Sequence, residues 1–163
     1  MSINIKRLMN IISTRTVSFF NDELGIQIDG QDIQLVTNNR IELKHITSLV
    51  SIGVTPHIFV IFSYEDALMN KIFEAYTKEL DILADERIEY IEETAGDVVN
   101  IIVGNSIAEC HDGTAIPLST PIVISSAESI AKSRNVKFFV NDLNSVDGNM
   151  RIFCVGPNEL FEV

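Results

Sequence analysis

The chain has 163 residues, an ordinary length for one domain, and 46% apolar with 21% charged residues sets it among globular chains and outside the disordered ones. Twenty-three acidic against twelve basic side chains give a formal charge of -11, which repels phosphate backbones and anionic membrane faces and so argues against nucleic acid or a membrane as partner. A protein surface with exposed lysines is the better electrostatic match.

In chain order, Ile5, Leu8, Met9, Ile12, Phe19 and Phe20 recur mostly at three- and four-residue steps, which predicts a first helix over Ile5 to Phe20 with one buried stripe. Lys6 and Arg7 precede an apolar stretch broken by Asn10, Ser13, Thr14 and Arg15, with no small-residue cleavage site after it, so the chain does not read as secreted and the cytoplasm is the expected compartment. Residues 21 to 39, punctuated by Asn21, Asp22, Gly25 and Gly30, read either as a polar loop or as a short pair of strands. Ile41, Leu43, His45 and Thr47 alternate with polar partners and Ile58 to Phe62 is an apolar run of strand length, so a hairpin turning over Gly53 to His57 is predicted. The run from His45 to Tyr64 lacks charge, but Gly53, Pro56 and its β-branched residues suit strands better than a membrane helix.

Ser63 stands where a helix cap is expected, ahead of Glu65 and Asp66, which predicts a second helix to about Leu80 that buries Leu68, Ile72, Phe73 and Tyr76. A third helix is expected from about Ile88 to Gly104, followed by an edge or interrupted strand within Ala108 to Val123 around Pro117 and Pro121. Val136 to Val140 and Met150 to Val155 read as an antiparallel pair joined through Asp147-Gly148. No repeat or linker is visible, and a single α/β (α+β) domain is expected, with a mixed or antiparallel sheet and long helices on one face.

Cys110 and Cys154 lack CxxC spacing and read as buried, unbridged thiols. Cys110-His111-Asp112 are adjacent in the chain, whereas a nucleophile and its base are normally brought together by the fold, so catalysis there is not expected. His45 and His57 lack carboxylates at ligand spacing and no metal site is expected. Phe138, Phe139 and Phe153 read as core, not as a base-stacking platform.

The third helix carries the informative pattern. On a wheel of ~100° per residue, Asp97, Asn100 and Gly104 fall within about 40° of Glu93, while Ile91, Ala95, Val98, Val99 and Ile102 gather on the opposite side. Asparagine competes for backbone groups inside a helix and needs a reason to be there. Spacing alone leaves two readings open, a solvated face and a site.

The run Asp97-Val-Val-Asn100-Ile-Ile-Val-Gly104-Asn105 resembles the signature helix of the CheX and CheC phosphatases, an acidic residue and two spacers before asparagine. Ser119-Thr120-Pro121 and Phe62-Ser63-Tyr64-Glu65 are similar to other junctions of that family. The resemblance implies a CheX/CheC-like fold and a phosphatase, a hydrolase acting on the aspartyl phosphate of a response-regulator receiver domain (CheY-like) in chemotaxis or related two-component signalling. Asn100 would then position the attacking water and Asp97 would contact a receiver lysine, with Glu93, Gly104 and Asn105 as partner-binding residues. No cofactor is implied in this chain, since the Mg2+ ion would belong to the receiver, and a homodimer is implied because such relatives can join sheets. Where the family usually has glutamate this chain has Asp97, shorter in reach by roughly 1.3 Å. The alternative is a non-catalytic CheC-like module that binds a receiver or a chemotaxis or flagellar component.

Overall fold

The computed structural model describes residues 3–53, 57–111 and 116–161. Three α-helices are present among them, α1 (Ile5–Ser18), α2 (Asp66–Tyr76) and α3 (Arg87–Cys110), with α1 running on into a π-helical turn, Phe19–Leu24. The strands are β1 (Asp29–Gly30), β2 (Gln34–Val36), β3 (Arg40–Glu42), β4 (Ile46–Ile52), β5 (Ile58–Tyr64), β6 (Ile122–Ser125), β7 (Ser129–Ala131), β8 (Val136–Ser145) and β9 (Gly148–Pro157).

The main sheet has the order β1-β8-β9-β5-β4-β6, with β2 also on β8, and β3 pairs β7 in a separate ribbon. Every pairing among the described strands is antiparallel. Successive side chains of a strand point to opposite faces, and both faces of the central strands are buried. Val60, Phe62, Ile152 and Cys154 join Leu8, Met9, Ile12, Leu68, Ile72, Val98 and Val99 of the three helices in the larger core. Ile61, Phe153 and Val155 face the other way, where Ile41 of β3 and Phe138 join them. Helices therefore cover one face of the sheet and the ribbon covers part of the other, beside a groove of about 580 Å³ lined by residues such as Leu49, Phe59, Ile61 and Ile130. Two-sided burial is the reason β5 and β9 read as continuous apolar runs.

Several expectations are corrected. Ser63 is not a helix cap: β5 continues through Tyr64, and the buried Ser63 hydroxyl accepts from the Lys44 N–H at 2.7 Å and pairs with Thr47 at 2.9 Å. Glu65 takes the cap position, and its Oε1 accepts from the Asn149 N–H at 2.6 Å. α2 stops at Tyr76, where the buried Thr77 hydroxyl bonds back to the Phe73 carbonyl at 2.6 Å. α3 does not end at Gly104 but runs six residues further, since Ser106, Ile107 and Cys110 extend its buried stripe. The strand expected after Ala108 is thereby reduced to a bridge from Leu118 to Ile52 and to β6 at the sheet edge, the site that tolerates a preceding proline. Both short strands in the 21 to 39 segment pair with β8, not with each other. His45 lies just before β4, with Nε2 3.5 Å from the Asp66 carboxylate, so it does have an acidic neighbour. Of the β4–β5 turn, residues 54–56 lie outside the described residues, as does Asp112.

The second hairpin is as anticipated but longer, with Ser145 opposite Gly148. Gly148 has φ +131, and a Cβ there would sit 2.9 Å from the Leu68 nitrogen, so glycine is required where the turn meets α2. Phe138 and Phe153 pack edge-on at 5.8 Å, as core residues. Cys110 and Cys154 are both buried and form no disulfide; burial, reinforced by Cys110, pushes the Cys154 thiol up to about 12.

Candidate functional site

Packing decides which way α3 faces. Ala95, Val98, Val99, Ile102 and Val103 are buried against the sheet, and Ile91 is half-buried on the same core. Thr94 and Ser106 share that inward side, and each hydroxyl donates to the carbonyl four residues back at 2.7 Å, which removes the cost of burying it. With the inward side committed, Glu93, Asp97 and Asn100 are left exposed on the outside, where the wheel places them. Asn105 is exposed as well, whereas Gly104 is half-buried, with Leu118 4.0 Å from the position of an added Cβ.

The neighbours of α3 hold this stripe in place. Gly96 lets the chain entering β6 come close, since an added Cβ would lie 3.4 Å from Pro121 and 3.9 Å from Val123. Ser119 is fixed in turn by Ser51, with N–H to carbonyl at 3.0 Å and its hydroxyl accepting from the Ser51 N–H at 2.8 Å. At the start of α3, the Arg87 guanidinium donates to Asn70 at 2.8 Å and lies 4.7 Å from the centre of the Phe73 ring, which ties the helix to α2. At its end, Arg7 donates to the Cys110 carbonyl at 3.0 Å and Arg15 pairs with Glu109 at 2.7 Å. The stripe is thus carried by a rigid element braced at both ends.

The structure adds one residue that sequence reasoning misplaced. Tyr76, expected in the core, is 37% exposed at the last turn of α2, and its hydroxyl donates to Asp97 Oδ2 at 3.3 Å. Partial burial, then the Asp97 charge and the bond to it, raise the Tyr76 phenol pKa. Periodicity could not separate Tyr76 from the buried stripe of α2, because it follows Phe73 at a three-residue step. No ion pair among the described residues involves Glu93 or Asp97. The outward face therefore presents carboxylates with no cation of their own beside an amide that both donates and accepts.

The family profile described as "Chemotaxis phosphatase CheX" matches residues 46–144, from β4 into β8 and including α2 and α3. The chain belongs to the CheX family. CheX-like folds are also what it resembles among solved structures. A chemotaxis protein CheX from Desulfovibrio desulfuricans superposes with a TM-score of 0.76 at 17% identity, over 90% of this chain and 97% of that one. A CheC-like superfamily protein from Shewanella sp. PV-4 gives 0.70 at 17% identity, over 95% and 99%. The CheX-CheY-BeF3-Mg2+ complex from Borrelia burgdorferi gives 0.65 at 17% identity, over 93% and 96%. No curated protein sequence matches. At these identities the structural likeness concerns the fold, and the family match joins it to the chemotaxis phosphatases. No described helix is long and apolar enough to cross a membrane.

Proposed function

We propose that this chain hydrolyses the aspartyl phosphate of a receiver domain (CheY-like), with Asn100 positioning the attacking water and Asp97 contacting the partner. The observation that carries the reading is the exposure of both side chains, one turn apart, on the outward face of a helix whose other face is buried against the sheet from Thr94 to Cys110. Family membership supports the reaction class, and the complex of a structural neighbour with CheY supports the kind of partner.

The chemistry suits an amide. Water attacks phosphorus in line, the P–O bond to the aspartate breaks, and inorganic phosphate leaves an aspartate carboxylate. Such transfers depend mainly on positioning and charge stabilisation. Asn100 holds the water through its acceptor and donor atoms without titrating near neutral pH. The Mg2+ ion is supplied by the receiver, and this chain contributes no metal ligand. Asp97, with Glu93 one turn before it, attracts a receiver lysine, while Gly104 and Asn105 border the same face as contacts.

The test is to mix the protein with phosphorylated receivers of its own genome and follow phosphate loss. Acceleration by the wild type that disappears in Asn100→Ala is the expected result, and equal rates for the two proteins would overturn it. A second reading, a module that docks a receiver or a flagellar component without catalysis, is favoured by one observation, the aspartate at position 97, shorter in reach than the glutamate usual in the family. Tight binding without faster hydrolysis would select it.

A further inference from the structure

We propose that Tyr76 is a positioning residue for partner recognition: its hydroxyl pins one oxygen of the short Asp97 carboxylate, and its exposed ring with the other oxygen makes a socket for a lysine of the partner. This rests on the receiver-directed reading above and names a residue outside the signature helix.

The placement of Tyr76 is determined by contacts on either side of it. Thr77 closes the last turn of α2 by its bond to Phe73, and Arg87 anchors the preceding turns of α2 to α3 through Asn70 and Phe73. The phenol is thereby held beside Asp97, and the exposed rotamers that a free aspartate would sample are reduced. At 3.3 Å the bond is long for O–H···O and therefore a weak orienting contact. Asp97 Oδ1 has no hydrogen-bond partner among the described residues.

The flanks of Asp97 differ. On the α3 wheel Arg87 lies about 80° from Asp97 on the side toward α2, and Ile101 lies about 40° away on that same side, while Asn100 lies about 60° away on the other. Ile101 is 38% exposed, as Tyr76 is at 37%. Asp97 therefore stands between an apolar shoulder of Tyr76 and Ile101 and the amide of Asn100. A lysine suits this arrangement: its methylene stem lies on the apolar shoulder and its ammonium meets the carboxylate. The pin offsets the missing methylene of Asp97, since a preoriented short acid loses less entropy on pairing than a mobile one.

A double-mutant cycle on binding tests the proposal apart from hydrolysis. Affinity for a beryllofluoride-activated receiver is measured by calorimetry for wild type, Tyr76→Phe, Asp97→Glu and the double variant. Tyr76→Phe keeps the ring and removes only the hydroxyl, so folding is spared. It is expected to weaken binding about threefold to tenfold in the wild-type background. In the Asp97→Glu background, where the longer acid reaches the lysine without the pin, the loss should be less than about twofold. Equal losses in the two backgrounds, or none in either, would overturn the proposal. An ultraviolet titration without any receiver adds a second readout: the phenol, isolated by difference from Tyr76→Phe, should titrate lower in Asp97→Asn than in wild type. An unchanged titration removes the pin. Failure of Asn100→Ala to alter phosphate loss removes the phosphatase reading and leaves this cycle standing on binding alone.

Discussion

The inward and outward stripes of α3 are drawn from the same 24 residues, yet they carry opposite demands. Inward, Val98, Val99 and Ile102 meet the sheet, and the polar Thr94 and Ser106 are tolerated because each hydroxyl returns to its own helix. Outward, Glu93, Asp97 and Asn100 have no packing to provide. The contrast teaches that a site on a fixed helix face can vary without endangering the fold, and that the packed side sets where the site points. Tyr76 stands between these two kinds of residue, attached to the scaffold through α2 and to the site through Asp97.

The contrast can be broken by mutation. Ile102→Ala, in the inward stripe, should lower stability by about 2–5 kcal/mol through loss of buried methyl groups and the cavity left behind, read as a shifted denaturant midpoint. Phosphatase activity should fall only as far as the folded fraction falls. Asn100→Ala, on the outward stripe, should reverse this pattern: a loss of about a hundredfold or more in phosphate release, equivalent to about 2.7 kcal/mol of barrier, with stability unchanged within about 0.5 kcal/mol. A large stability loss there would end the distinction between the stripes. Gly96→Leu sharpens the boundary, since its side chain must displace Pro121, 3.4 Å from the first added carbon. A cost of about 1–3 kcal/mol is expected from overpacking, together with weaker receiver binding as the Ser119 to Pro121 segment shifts. Glu93→Gln is the mildest change. It should leave unfolding within about 0.5 kcal/mol and slow receiver association modestly at low salt, a difference that vanishes as salt is raised.

Elements with strong periodicity or long apolar runs were legible in the residue order: α1, the body of α3, the central strands β5 and β9, and the outward placement of Asp97 and Asn100. Other positions carry local signals that are ambiguous. Ser63 has the chemistry of a cap but is held in β5 by Thr47 and the strand pairing. Gly104 looked like a helix end, yet Ile107 and Cys110 continue the buried stripe past it. Tyr76 had the spacing of a core residue and lies at the rim, because α2 ends there. The pairing of β1 and β2 with β8 joins segments far apart in the chain and had no local trace.

What the order of residues determined by itself was the periodic separation of apolar from polar side chains along each segment, and with it the two-sided character of α3, since a helix converts spacing into direction without reference to anything else. Only the tertiary structure decided which neighbours meet at that outward face. Tyr76 beside Asp97 and Pro121 against Gly96 are contacts between segments distant in the chain, created when α2, α3 and the strand leading into β6 pack on one sheet, and no local pattern encodes the distance between them.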